Sequence, residues 1–216
     1  MTNISAAITA VGGYVPDFIL TNKILETMVD TNDEWITSRT GIKERRILKG
    51  ANKGTSFLAI QAAKDLIQKN NLDPTTIDLV VVATATPDMK AASTSAYTAS
   101  EIGATNAFSF DLDAACSSFL FGMSVASSYI QSGKHKKVLL IGADKNSSMI
   151  SYEDRATCII FGDGAGAVLF EPNEEGFGVQ DEYLRSDGSG REFLRATHGG
   201  SANAITEESL KDHSQY

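Results

Sequence analysis

The thiol of Cys116 is the side chain in this sequence best placed for covalent catalysis. Cys116 follows a strand-like run, 107–112, and precedes a helical pattern that begins at Ser117. Where a strand meets a helix, unpaired backbone N–H groups and the helix dipole stabilise an anion and so favour a reactive thiolate. The backbone N–H of Cys116 is a candidate donor to a developing oxyanion. From local context alone the alternative is a packed core thiol, because free cysteine is among the most buried residue types.

Two other patterns have plainer interpretations. Cys158 lies in the apolar run 157–161, which favours core packing. The glycine-rich run 162–166 lacks the Gly-Lys-Ser/Thr ending of a phosphate loop, and a strand rather than a helix follows it. We therefore interpret these glycines as positions of close backbone packing and tight turning, not as a nucleotide site.

Predicted strands and helices alternate along the part of the chain that must position Cys116. The predicted strands span 1–8, 77–84, 107–112, 137–142 and 168–170, and the predicted helices span 54–70, 93–102 and 117–131. This alternation predicts an α/β fold with a mostly parallel central sheet. Residues 176–216 are polar, rich in glycine and without clear helical periodicity.

Three local details of these elements are also predicted. The first strand should run into a turn at Gly12–Gly13, and Thr55 or Ser56 should cap the first helix. The last of these helices should bury one apolar face, made of Leu120, Met123, Ala126 and Ile130.

Composition narrows the class of protein. The 216 residues are 42% hydrophobic and 21% charged, which is typical of a globular protein. A net charge of -8 argues against nucleic-acid binding, although 39–46 is a basic island that suits a phosphorylated or acidic partner. We expect no membrane span, since no apolar run reaches about 20 residues. We expect no signal peptide, no disulfide framework and no metal site, and hence a cytoplasmic protein.

Three separated motifs identify a family resemblance. They are 30–42 (DTNDEWITSRTGI), 113–119 (DAACSSF) and 154–167, which runs from DRAT to FGDGAGA. In this order they resemble the N-terminal half of β-ketoacyl-acyl carrier protein synthase III, a thiolase-fold condensing enzyme, and the resemblance extends from about residue 5 to 195. It implies one of the two halves of a duplicated, thiolase-like fold with flanking helices. Residues 1–175 would form the half that bears the nucleophile, and 176–216 would be a connecting segment.

The resemblance also implies a reaction. Cys116 would take an acyl group from acyl-CoA, and malonyl-acyl carrier protein would then undergo decarboxylative condensation with the thioester to initiate fatty acid synthesis. Trp35 and Arg155 would sandwich the adenine of coenzyme A, Arg39 would meet its phosphates, and Phe161 would line the acyl pocket. The family forms homodimers in which a strand like 107–112 pairs across the two-fold axis, and it has no permanently bound cofactor.

The chain departs from the family pattern at several places. The family histidine and asparagine, in segments like Pro-His-Gln-Ala-Asn and Gly-Asn-Thr, are absent, so we expect no complete condensation by residues 1–216 alone. Ala91 and Ala92 replace a common Phe-Pro pair whose phenylalanine, donated across the dimer, limits primer length; alanine predicts a roomier pocket. Ser118 replaces the commoner glycine, and its hydroxyl could hydrogen-bond locally.

Alternative functions come from other classes. Another thiolase-fold enzyme, such as a thiolase or a polyketide-type synthase, would use Cys116 on a different acceptor, but Trp35 and Arg39 disfavour it. A non-catalytic dimeric scaffold fits the missing histidine and asparagine. A coenzyme A binder would keep its affinity in a Cys116→Ser variant without ever forming a thioester.

Overall fold

The computed structural model describes residues 4–213 and Tyr216. The strands are β1 (Ser5–Tyr14), β2 (Phe18–Thr21), β3 (Glu44–Ile47), β4 (Leu79–Ala83), β5 (Phe108–Leu112), β6 (Val138–Lys145) and β7 (Asp163–Asn173). The α-helices are α1 (Asn22–Leu25), α2 (Asp33–Thr40), α3 (Thr55–Asn70), α4 (Thr94–Ile102), α5 (Ser118–Gln131), α6 (Arg155–Cys158) and α7 (Glu207–Lys211). Short 3₁₀ helices lie at Pro74–Thr76, Ala115–Ser117, Asn146–Ser148 and Gly188–Glu192.

The central sheet has five strands in the order β1-β7-β6-β4-β5. Strands β5 and β6 both run parallel to β4, and β7 runs antiparallel to both of its neighbours, β6 and β1. Four of the five strands therefore point the same way, and the predicted α/β fold with a mixed, mostly parallel sheet and flanking helices is confirmed. Strands β2 and β3 form a separate antiparallel ribbon.

Both faces of this sheet are covered. Every residue of β4 is buried, as its continuous apolar run predicts. Val80 and Val82 pack on the side of α3 and α4, and Leu79 and Val81 pack on the side of α5. A third apolar cluster fills the space between the β2–β3 ribbon, α1, α2 and α6. Among the described residues, no helix is both long and apolar enough to cross a membrane.

The residues that begin and end α3 and α4 can be compared with those that the sequence predicts. Asn71 and Gly103 adopt the left-handed conformation that ends each helix, as expected of these residue types. Neither Thr55 nor Ser56 is the N-cap of α3, however; that position is held by Gly54. The two hydroxyls instead bind the loop after β4, where Thr55 donates to the Thr86 carbonyl and Ser56 donates to the Asp88 carboxylate.

The prediction of a turn at Gly12–Gly13 is wrong, because β1 continues through both residues to Tyr14. The backbone at Gly12 packs directly on α3, where a Cβ would come within 2.5 Å of the Leu66 amide nitrogen and 2.6 Å of the Ala62 carbonyl oxygen. Gly12 is thus required by contact with the helix rather than by chain reversal. Met1–Asn3, part of the same predicted strand, lie outside the described residues.

The predictions for the glycine-rich run and for the apolar face of α5 also need correction. Gly164 and Gly166 lie within β7 rather than in a turn. Ala126 and Ile130 are buried as predicted, but the Leu120 side chain is 58% exposed. The helix instead meets the sheet through Gly122, where a Cβ would lie 2.5 Å from Leu140 Cδ1. A glycine has no apolar side chain to contribute to a helical pattern, so the sequence pattern did not predict this contact.

Gly12→Ala should destabilise the fold, whereas Gly13→Ala should not. The methyl group that this substitution adds at position 12 would overlap backbone atoms of α3, so we expect a loss of about 1–3 kcal/mol in the free energy of unfolding. At Gly13 the nearest atom to a new Cβ is the Ala165 carbonyl oxygen at 3.6 Å, an ordinary contact. Urea unfolding of the two variants measures the difference, and equal stabilities would contradict this account of β1.

Candidate active site

Cys116 lies at the edge of the sheet where the parallel strands end. It follows β5, sits in the 3₁₀ turn Ala115–Ser117 and precedes α5, so the predicted strand-to-helix junction is confirmed with one extra turn between the two elements. Its side chain is exposed, not packed in the core. The carboxyl ends of parallel strands are a common place for ligand sites.

A cavity of about 320 Å³ opens beside Cys116. It is bounded by the ends of β4 and β6 and by the start of β7, and most of its lining residues are small. They are Ala83, Ala115, Cys116, Ser118, Phe119, Gly142, Ala143, Asp144, Asn146, Gly162, Gly164, Ala165 and Gly166. The glycines predicted to serve close packing therefore also keep space open next to the thiol.

Hydrogen bonds fix the backbone of the Cys116 turn. Ala115 has φ +49°, a conformation that non-glycine residues rarely adopt. Its N–H donates to Asp113 Oδ1 at 2.9 Å. Ser118 Oγ accepts from the Ala114 N–H at 2.6 Å and donates to the Ala115 carbonyl at 2.7 Å. Within the described part of the chain, the Cys116 N–H has no hydrogen-bond acceptor, which leaves it available to a substrate oxygen.

Asp144 is a carboxylate in the cavity wall that the sequence analysis did not identify. Its Oδ1 accepts hydrogen bonds from Thr84 Oγ1 at 3.0 Å, the Ala85 N–H at 2.9 Å and Thr86 Oγ1 at 3.1 Å. Asp144 therefore holds the loop that leaves β4. An acidic residue directly after the buried run of β6 was the available signal, because the ends of parallel strands converge.

Asp163 fixes the start of β7. It is 5% exposed and accepts hydrogen bonds from the Leu48 N–H at 2.7 Å, the Ser147 N–H at 2.8 Å and Ser147 Oγ at 2.7 Å. These bonds tie the glycine-rich run to the β3 end and to the turn after β6. The aspartate within this run therefore has a structural explanation, and its neighbours Gly162 and Gly164 face the cavity.

The structure brings Trp35, Arg39 and Arg155 together. Arg39 follows Trp35 by one turn of α2, and its Cζ lies 4.5 Å from the indole centroid. Arg155, the first residue of α6, has its Cζ 4.9 Å from the same centroid, and its Nη1 donates to the Asp30 carbonyl at 2.9 Å. A ring sandwiched between the indole and the Arg155 guanidinium needs about 7 Å, twice the ordinary contact distance. In this conformation the two side chains are therefore too close to admit an adenine.

Phe161 and Ala91 do not line the cavity beside Cys116. Phe161 is half-buried and packs against the apolar cluster between α2 and α6. Ala91 is exposed in the loop between β4 and α4 and has φ +70°. Within this chain, then, the structure does not assemble these two residues with the thiol.

The remaining sequence-selected groups lie elsewhere. Cys158 is fully buried, which confirms core packing. Burial raises the pKa of its thiol, as does the nearby Asp154 carboxylate, while Arg45 acts in the opposite direction. None of the described histidines lines the Cys116 cavity, and within residues 4–213 and Tyr216 no cluster of three metal-binding side chains is found.

Iodoacetamide should modify Cys116 and spare Cys158 in the native protein. Cys116 is exposed, whereas Cys158 is 0% exposed and reacts only when the fold opens. An opening free energy of about 3 kcal/mol makes Cys158 slower by on the order of 100-fold. Peptide mass mapping measures both rates, with Cys116→Ser and urea-unfolded protein as controls. Equal native rates would favour the non-catalytic scaffold.

Several known proteins are similar to this chain in sequence and fold. The family model of 3-oxoacyl-[acyl-carrier-protein] synthase III matches residues 110–188. The chain is 54% identical over 201 residues to β-ketoacyl-[acyl-carrier-protein] synthase III from Phocaeicola vulgatus, covering 93% of this chain and 60% of the relative. It thus spans about three fifths of that protein's length.

Two solved structures agree. The β-ketoacyl-[acyl carrier protein] synthase III from Thermus thermophilus superposes with a TM-score of 0.83 at 38% identity, over 90% of this chain and 60% of that one. The priming β-ketosynthase of the R1128 polyketide biosynthetic pathway superposes with a TM-score of 0.85 at 32% identity, over 97% and 60%. In its three motifs, its fold and these matches, the chain is similar to about three fifths of a 3-oxoacyl-[acyl-carrier-protein] synthase III.

Proposed function

We propose that this chain carries the acyl-loading site of a 3-oxoacyl-acyl carrier protein synthase III. The Cys116 thiolate attacks the thioester carbonyl of acyl-CoA. A bond forms between Cys116 Sγ and the acyl carbon, the bond from that carbon to the coenzyme A sulfur breaks, and coenzyme A leaves as a thiolate that takes a proton from water. Covalent catalysis of this kind divides one difficult condensation into two easier steps.

One observation carries this proposal: an exposed thiol lies in a cavity with an unpaired backbone N–H beside it. The small residues of the cavity leave space for the acyl carbon next to Cys116 Sγ. The Cys116 N–H can donate to the oxygen that becomes negative in the tetrahedral intermediate. Neither feature is needed by a core cysteine, as the fully buried Cys158 illustrates.

The coenzyme A end of the substrate fits the cluster of Trp35, Arg39 and Arg155. An indole stacks on adenine, and a guanidinium binds phosphate or stacks on a flat ring. Since Trp35 and Arg155 are in contact, we propose that Arg155 releases the Asp30 carbonyl and swings outward when adenine enters. Arg39 would then meet the phosphates.

The second step needs groups outside residues 1–216. In the proposed reaction malonyl-acyl carrier protein loses carbon dioxide, and the resulting carbanion attacks the Cys116 thioester to start fatty acid synthesis. The histidine and asparagine segments of the family do not occur in this sequence, so the proposed role of this chain is loading. We place the working enzyme in the cytoplasm as a homodimer, with 1–175 as the nucleophile half and 176–216 as a connecting segment.

A polyketide-type synthase is the second candidate. The priming β-ketosynthase of the R1128 pathway superposes on 97% of this chain. Such an enzyme would load Cys116 in the same way and differ in the acceptor that follows. The loading experiment below is common to both candidates, and a second stage with malonyl groups on different carrier proteins separates them.

Incubation with acyl-CoA should add one acyl group to this chain at Cys116. Intact-mass measurement detects the gain, and Cys116→Ser should show none. Cys158→Ser is the matched control and should load normally, because its thiol is buried. The same acyl group on a short thiol without a nucleotide should load more slowly, since it cannot use Trp35. Loading that persists in Cys116→Ser, or none with any thioester, would contradict the proposal.

Ala91 should allow longer or branched primers. Alanine replaces a phenylalanine that, in the family, is donated across the dimer and limits the acyl pocket of the partner. In the proposed homodimer, acetyl and branched acyl groups should therefore load at rates within about 10-fold of each other, a difference of about 1.4 kcal/mol. Ala91→Phe is the matched variant and should narrow the range towards acetyl. Mass measurement over a panel of acyl-CoA thioesters tests this, and strict acetyl preference in the unchanged chain would refute it.

A further inference from the structure

Ser118 forms a bridge across the turn that presents Cys116. Its side chain is buried at 3% exposure, at the first position of α5. The hydroxyl accepts from the Ala114 N–H and donates to the Ala115 carbonyl, at 2.6 and 2.7 Å. Both of its partners are backbone groups of the two residues that precede Cys116.

The bond to the Ala115 carbonyl controls the direction of the Cys116 N–H. The C=O of Ala115 and the N–H of Cys116 belong to one planar trans peptide, in which the two groups point in opposite directions. When Ser118 holds the carbonyl on its own side, the N–H must point away from Ser118. Rotation of this peptide would break the bond from Ser118 Oγ to the Ala115 carbonyl and change the direction of the Cys116 N–H.

The turn that Ser118 restrains has an uncommon backbone conformation. Ala115 has φ +49°, which an alanine adopts at a cost relative to the ordinary regions. Asp113 holds the Ala115 N–H, and Ser118 holds the Ala115 carbonyl, so both sides of this residue are restrained. Without the hydroxyl, the carbonyl side keeps only the helix-start bond from the Ser118 N–H.

We propose that Ser118 is a positioning residue that aims the Cys116 N–H at the oxygen of the bound thioester. This inference rests on the proposed acyl-loading function and deepens it. The role belongs to the hydroxyl, which acts through the Ala115–Cys116 peptide. Loss of an oxyanion donor typically costs 10²–10³-fold in rate, and a misdirected donor should cost a part of that.

The test compares two reactions of the same thiol. Acyl transfer from a thioester passes through an oxyanion, whereas alkylation by iodoacetamide does not. In Ser118→Ala we expect acyl transfer from acyl-CoA to fall by about 10-fold or more, and alkylation of Cys116 to change by less than about 3-fold. Ser118→Thr keeps the hydroxyl and should retain most of the acyl transfer. Intact-mass time courses give both rates.

Ser127→Ala is the matched control, because Ser127 is also a buried serine on α5 but lies far along the helix from the turn. It should leave both rates unchanged. Circular dichroism and thermal unfolding show whether each variant folds. If Ser118→Ala does not fold, Ser118→Gly serves, with a smaller loss in the same direction because a water molecule can take the place of the hydroxyl.

The outcomes distinguish a failure of the positioning role of Ser118 from a failure of the proposed acyl-loading function. Equal loss of acyl transfer and alkylation in a folded Ser118 variant, or no loss of either, would overturn the positioning role. A short-chain thioester without a nucleotide is the second donor. If it loads Cys116 with the same Ser118 dependence while acyl-CoA loads none, the proposed substrate fails and the positioning role stands. Alkylation without acylation from either donor would overturn both.

Discussion

The burial of β4 on both faces is the constraint on which the rest of the structure depends. Each residue from Leu79 to Ala83 is apolar and buried, so the strand can lie only in the middle of a sheet with helices on both sides. Parallel partners β5 and β6 pair with it residue for residue, which brings their carboxyl ends to one edge. Cys116 follows β5 and Asp144 lies near the carboxyl end of β6, and their meeting at one cavity is a consequence of that register.

Close approach of helices to the sheet then sets the position of Cys116. Helix α5 meets β6 at Gly122, where the Leu140 side chain leaves no space for a Cβ. Gly142 of β6 likewise allows a close approach, because a Cβ at this position would crowd the Phe119 ring of α5 at 3.1 Å. Without these two glycines the first turn of α5 would lie farther from the sheet, and the cavity beside Cys116 would have a different shape.

Much of this architecture could be predicted from the sequence, because apolar runs and helix-ending residues act locally. The run 77–84 indicated a strand, and the predicted helices 54–70 and 93–102 end just before Asn71 and Gly103, the two residues that cap them. The failures involve residues whose role depends on distant partners. Gly12 looks like a turn residue until α3 packs on it, and Thr55 looks like a cap until the loop at Thr86 binds its hydroxyl. Leu120 fits the apolar periodicity of α5 but is exposed, and Gly122 makes the contact with the sheet instead.

The same distinction holds for the candidate site. The place of Cys116 at a strand-to-helix junction follows from local patterns, whereas the contact of Trp35 with Arg155 joins two segments 120 residues apart in the chain. Periodicity cannot indicate that contact; a family motif suggested that the residues share a site, and the structure adds that they touch. Asp144 had no motif of its own, and its place in the cavity wall became evident only from the convergence of the strands.

The two ends of the proposed substrate site differ in how far they are organised before a ligand enters. At the thiol end, Asp113 and Ser118 bind both sides of Ala115, so the turn is held without substrate. At the coenzyme A end, Arg39 and Arg155 pack on Trp35, and Arg155 also binds the Asp30 carbonyl. Under the proposal, adenine would displace one of these contacts, so part of its stacking energy would offset the loss of an existing contact. In the proposed reaction, pre-organisation is therefore concentrated at the thiol, where bonds would change. A misplaced donor there would lower the rate directly, whereas a rearrangement at the nucleotide end would lower the affinity alone.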